Sequence, residues 1–143
     1  MKKESRIPID ARLAQAVERG VTIHRKLTKA EGGGLSTKNA ARQLGISETA
    51  LLNRHKNGRL AAWRENSQRA FRFPAWQFRD GQVVAGLERV LRVLNVGTRL
   101  DEYGPMLFFL SQSRLLEGKR PLDCLRQGEI EKVIQAARGY CQQ

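Results

Sequence analysis

Two serines and two glycines at fixed offsets leave residues 36–58 little freedom in how they fold. Ser36 stands before one helix-forming run, Gly45 interrupts it, Ser47 stands before a second run and Gly58 follows it. A serine hydroxyl at a helix start accepts a hydrogen bond from a backbone N–H that would otherwise be unpaired, and glycine takes up the left-handed conformation that ends many helices. The spacing predicts two short helices joined by a tight turn. Helices crossed so closely need a small residue where their backbones approach. Ala41, four residues before Gly45, supplies it, and Leu44, Ile46 and Leu51 fill the wedge between them.

A helix-turn-helix of this form meets base edges in the major groove with the early residues of its second helix, while the first helix and flanking basic residues hold phosphates. Ser47, Glu48, Thr49 and Asn53 occupy the base-reading positions. Asn suits bidentate pairing with adenine, and Glu can accept from the cytosine amino group. Lys38, Arg42, Arg54 and Lys56 are placed for phosphate contact, with Arg64, Arg69 and Arg72 on the segment that follows. Charge agrees with a polyanionic partner: the 143 residues carry a formal net charge of +12. The excess is +4 over residues 1–34, +6 over 35–80 and +2 over 81–143. Double-stranded DNA is the expected partner, and binding to two half-sites favours a homodimer.

Around this motif the chain divides into three. In residues 1–34, Leu13, Ala16, Val17, Val21, His24 and Leu27 recur at helical spacing and end in Gly32, Gly33 and Gly34, read as a flexible connector. This stripe has no evident partner within the chain and is a reasonable dimer surface. Residues 35–74 hold the two helices and a two-stranded wing that Pro74 ends. In residues 75–143 helical periodicity returns: Val83, Val84, Leu87, Val90, Leu91 and Leu94 form one stripe, Met106 to Leu110 a second apolar group, and Ile130, Val133, Ile134 and Ala137 a third. Pro121 starts a further turn of helix and Gly128 breaks it. The expected fold is mainly α, a winged helix-turn-helix followed by a three-helix C-terminal domain. Phe73, Trp76 and Phe78 are expected to anchor the wing to that body, and His55 to be packed in the core.

Residues 40–47, Ala-Ala-Arg-Gln-Leu-Gly-Ile-Ser, and 58–62, Gly-Arg-Leu-Ala-Ala, resemble the winged helix-turn-helix of the excisionase and mercury-regulator type, with Arg54 where that pattern has an apolar residue. Residues 71–78, Phe-Arg-Phe-Pro-Ala-Trp-Gln-Phe, and 118–128, Gly-Lys-Arg-Pro-Leu-Asp-Cys-Leu-Arg-Gln-Gly, resemble the C-terminal domain of the Xre/MbcA/ParS antitoxins. That resemblance implies a helical module holding a RES-domain toxin, on a transcriptional repressor of the shared operon. Lys119, Arg120, Pro121, Leu122, Leu125 and Gly128 are its implied partner-binding residues. The alternative is an excisionase-like or nucleoid-type architectural factor with no toxin.

An enzyme is not expected, because the two His and two Cys are scattered and no constellation assigns catalytic roles. Cys124 and Cys141 lack metal-ligand spacing and read as reduced thiols, so neither metal nor cofactor is expected. No apolar run approaches the roughly 18 residues of a membrane span, and residues 1–6 have no apolar stretch behind them to act as a signal peptide. A cytoplasmic protein without membrane contact is expected.

Overall fold

The computed structural model describes residues 9–65, 70–97 and 103–142. Helix α1 (Ile9–Ala30) runs unbroken through Gly20. Thr28 C=O then accepts from Glu31 N–H at 3.0 Å and Gly33 N–H at 2.8 Å, with Gly32 at φ 102° between them. The glycines are therefore not a flexible connector. They cap α1 in a left-handed turn and start strand β1 (Gly34–Leu35), with Gly33 C=O accepting from Ala75 N–H at 2.9 Å.

Helices α2 (Thr37–Leu44) and α3 (Glu48–Lys56) follow with the foreseen caps. Ser36 Oγ accepts from Asn39 N–H at 3.1 Å and Ser47 Oγ from Ala50 N–H at 3.0 Å. Gly45 sits at φ 66° and Gly58 at φ 75°, each closing its helix. Strands β2 (Trp63–Glu65) and β3 (Ala70–Pro74) form the wing, and β1 adds to the other edge of β3, so the sheet has three antiparallel strands in the order β1-β3-β2. The helix-turn-helix core holds Ala40, Ala41, Leu51, Leu60, Ala62 and Phe73, with Leu44 and Ile46 packed against it.

After a 3-10 turn at Ala75–Gln77 the chain forms a second hairpin, β4 (Phe78–Arg79) and β5 (Gln82–Val83), rather than the helix that the stripe beginning at Val83 suggested. Its turn residues Asp80 and Gly81 both have positive φ, 54° and 77°. That is the two-residue turn whose twist matches paired strands, and Asp-Gly is its usual sequence. Helix begins at Leu87: α4 (Leu87–Gly97), α5 (Tyr103–Leu110), α6 (Pro121–Arg126) and α7 (Ile130–Cys141) make four C-terminal helices, the short α6 standing between Pro121 and Gly128. They enclose the larger core, which includes Trp76, Leu87, Leu94, Phe109, Leu122 and Val133.

The two cores are joined by the aromatic run. Phe73 is buried in the helix-turn-helix core and Trp76 in the C-terminal one, its ring 5.3 Å from Phe109, while Phe78 packs back toward the first. Between them Gln77, wholly buried, uses its side-chain amide as a strand would use its backbone: Oε1 accepts from Ala61 N–H at 2.8 Å and Nε2 donates to Ala61 C=O at 2.9 Å.

Helix α1 has intramolecular partners after all. His24 and Thr28 are buried and Leu27 packs on the C-terminal core. The His24 ring lies 4.7 Å from Trp63 and 4.8 Å from Tyr103. This half of the stripe is core, which removes the reason for reading it as a dimer surface; the side chains of Leu13, Ala16 and Val17 lie outside the described residues. Glu31, at the end of α1, accepts from Arg120 Nη1 at 2.8 Å, tying the helix to the start of α6.

Candidate nucleic-acid interface

Helix α3 buries Leu51 beneath it, half-buries Ala50, Arg54 and His55, and turns Glu48, Thr49, Leu52, Asn53 and Lys56 to solvent. Those five recur at offsets of one, four, five and eight, a single helical stripe. The face is uncovered because the helix rests on α2 and on the wing through its opposite side, where the His55 ring lies 4.7 Å from Phe71 and 6.0 Å from Phe73. His55 is thus packed, as its spacing suggested, and burial holds its imidazole below the ordinary histidine range, with Arg64 adding to the shift.

Of the base-reading candidates, Glu48, Thr49 and Asn53 lie side by side on the open face. Ser47 is exposed too, but its oxygen already caps α3, leaving the hydroxyl hydrogen for an outside acceptor. Sequence reasoning missed Leu52, 38% exposed at the centre of the stripe. An apolar side chain there matches the methyl group of thymine. The signal was an apolar residue that the cap-to-cap frame leaves off the buried side.

Among the phosphate candidates, Lys38, Arg42 and Lys56 are exposed and Arg54 half-buried. None of the four has a carboxylate within 4.0 Å among the described residues. Many basic side chains of the body differ: Arg59 pairs with Glu88 at 2.8 Å, Arg89 with Glu131 at 2.9 Å, Arg120 with Glu31 and Asp123 at 2.8 Å, and Lys132 with Glu129 at 3.2 Å. Among the described residues, Lys38, Arg42, Arg54 and Lys56 of the helix-turn-helix are left without acidic partners.

Pairing register separates the wing arginines. Residues directly opposite across two strands share a face. Arg64 opposes Phe71, so it lies on the side that meets α3, with its guanidinium 5.0 Å over the Phe71 ring. Arg72 opposes Trp63 on the other face, turned toward α1, and its Nε donates to Glu65 at 2.8 Å. The expectation that Arg72 serves phosphate beside Arg64 is corrected on both counts, direction and pairing. Arg69 lies outside the described residues.

The implied partner-binding set is corrected more deeply. Pro121, Leu122 and Leu125 are buried and present no surface to a partner. Arg120 forks both oxygens of Asp123 at 2.8 Å while holding Glu31, which pulls the Asp123 carboxyl below its ordinary range. Its donors are committed to the fold. Gly128, at φ 83°, ends α6 by a left-handed turn, and Lys119 is exposed. The motif of residues 118–128 is chiefly a packing motif.

Both cysteines are free thiols, pushed up in pKa by burial. Among the described residues no group of three or more His, Cys, Asp or Glu side chains could hold a metal ion, and no helix is long and apolar enough to cross a membrane.

No family model matches the chain, and no curated protein matches it. Among solved structures it is similar to the NMR structure of Rv2175c, with a TM-score of 0.62 at 22% identity over 76% of this chain and 80% of that one. At that identity the likeness shows a shared fold.

Proposed function

We propose that this protein is a sequence-specific double-stranded-DNA-binding transcriptional regulator, reading the major groove with α3 and holding phosphates with Lys38, Arg42, Lys56 and Arg64. The observation that carries the reading is the open stripe of Glu48, Thr49, Leu52 and Asn53, flanked by Lys38, Arg42 and Lys56, which have no acidic partner among the described residues, on a helix capped at both ends. A surface built for solubility alone needs no such segregation of polar base-reading types from unneutralised cations. Fluorescence anisotropy with duplexes tiled across the protein's own promoter tests it. Saturable binding to one tile at physiological salt, at least a hundredfold tighter than to scrambled duplex, is expected; equal affinity for every tile would refute specific reading. Footprinting then separates two jobs: one short palindrome fits a repressor, whereas tandem sites with bending fit an excisionase-like architectural factor.

The antitoxin role rests on the sequence resemblance of residues 71–78 and 118–128 and not on partner contacts by Pro121, Leu122 or Leu125. Co-purification with the product of the adjacent gene tests that role. Its failure leaves the DNA reading standing.

A further inference from the structure

The wing and α1 form a half-open cavity of about 370 Å³ that the α3 stripe does not enter, with Arg64 at its lining. Its volume falls in the range of small-molecule sites, roughly 300–1,000 Å³. Two of its lining residues, one helical turn apart, carry a buried polar atom with no hydrogen-bond partner in the protein: His24 Nε2 and Thr28 Oγ1. Buried polar atoms are nearly always paired, so two orphans on residues that line one cavity point to a ligand that supplies their partners.

The rest of the lining defines what that ligand is. Trp63 and Tyr103 form an aromatic wall, each ring within 5 Å of the His24 ring. Arg25 and Lys29, exposed on α1, stand at the cavity and have no carboxylate within 4.0 Å among the described residues. Arg72, the other cation of this face, is held by Glu65. Burial, with Arg25 beside it, keeps the His24 imidazole neutral by lowering its pKa to about 4, so at neutral pH the ring offers a hydrogen-bonding nitrogen and no charge.

We infer that this cavity binds a small aromatic carboxylate bearing a hydroxyl group: the ring against Trp63 and Tyr103, the hydroxyl on His24 Nε2 and Thr28 Oγ1, and the carboxylate on Arg25 and Lys29. The inference does not depend on DNA binding, since the groups it uses, on α1, Trp63 and Tyr103, are none of those assigned to base or phosphate contact.

Isothermal titration of the full chain with 4-hydroxybenzoate tests it, alongside the neutral 4-hydroxybenzamide. One saturable site is expected, with the amide at least tenfold weaker. Arg25→Gln and Lys29→Gln, on exposed positions, should each weaken the acid about fivefold and leave the amide unchanged. Thr28→Val, which keeps side-chain shape, should weaken both probes, and circular dichroism establishes that each variant is folded. Absence of saturable binding, equal affinity for acid and amide, or indifference to both α1 substitutions overturns the site.

Discussion

Gln77 shows how much one side chain can decide. Its amide satisfies both backbone groups of Ala61, which are buried where the wing's approach meets the C-terminal body. In Gln77→Leu both groups lose their partner, and a buried unsatisfied donor or acceptor costs about 1–3 kcal/mol. A loss of about 4 kcal/mol in urea unfolding is expected, against under about 1 kcal/mol for Gln82→Leu on the exposed end of β5. His24 supplies a pH test. Its folded pKa of about 4 lies below the ordinary 6.5, through burial first and Arg25 second. Between those values the unfolded chain binds more protons than the folded one, so stability rises with pH there. The contribution is complete above pH 6.5 and is lost as pH falls toward 4, on the order of 3 kcal/mol. His55 is shifted in the same direction, so its slope adds to this one. Urea midpoints between pH 4 and 7 should flatten in His24→Gln, and an unchanged slope would count against the burial account. Neither residue announced its role in the sequence. Gln77 meets a backbone partner 16 positions away and His24 meets rings on two distant segments, relations that local periodicity does not encode.

At the scale of elements, legibility followed locality. Caps at Ser36 and Ser47 and exits at Gly45 and Gly58 act within five residues, and all four stand where spacing placed them. Ser47→Ala should therefore cost about 1 kcal/mol in chemical unfolding. The β4–β5 hairpin was hidden because Val83 and Val84 continue the apolar spacing of α4, although Asp80 and Gly81 carried the turn signal. Strand β1 was hidden because three glycines read as slack, whereas pairing with β3 is what orders them. Gly34 also lets β1 pass under the wing: a Cβ there would meet the Trp63 ring, with Cζ2 at 2.8 Å, and Arg72 Cβ at 3.3 Å. Gly34→Ala is expected to cost about 2 kcal/mol through overpacking, read as a lower thermal midpoint with diminished protection of Trp63 from quenchers.

For the whole molecule, the decisive pattern is where charge is neutralised and where it is not. Sequence counting located an excess of +6 in residues 35–80, but could not say which cations face carboxylates, because Glu31 pairs with Arg120 and Arg126 across some ninety positions and strand register sets Arg72 beside Glu65 on the face away from α3. In the fold, a cation already held by a carboxylate has less to gain from phosphate, since contact with DNA must break the pair. An unpaired cation on the reading side releases a counterion from DNA for each phosphate it meets. Lys38→Gln, Arg42→Gln and Lys56→Gln are therefore each expected to lower the slope of log affinity against log salt by about one and to weaken all duplexes alike. Arg72→Gln and Arg89→Gln remove the same charge from paired positions, Arg89 with Glu131 on the far helices, and should leave the slope within about 0.3 of the parent. Asn53→Ala should do the reverse, keeping the slope while relaxing preference at one base pair by about 1–3 kcal/mol. Binding isotherms at four salt concentrations for these six proteins separate phosphate holding, base reading and net charge. If all the arginine and lysine variants lower the slope equally, attraction follows total charge and the interface assigned to α2, α3 and the wing is wrong.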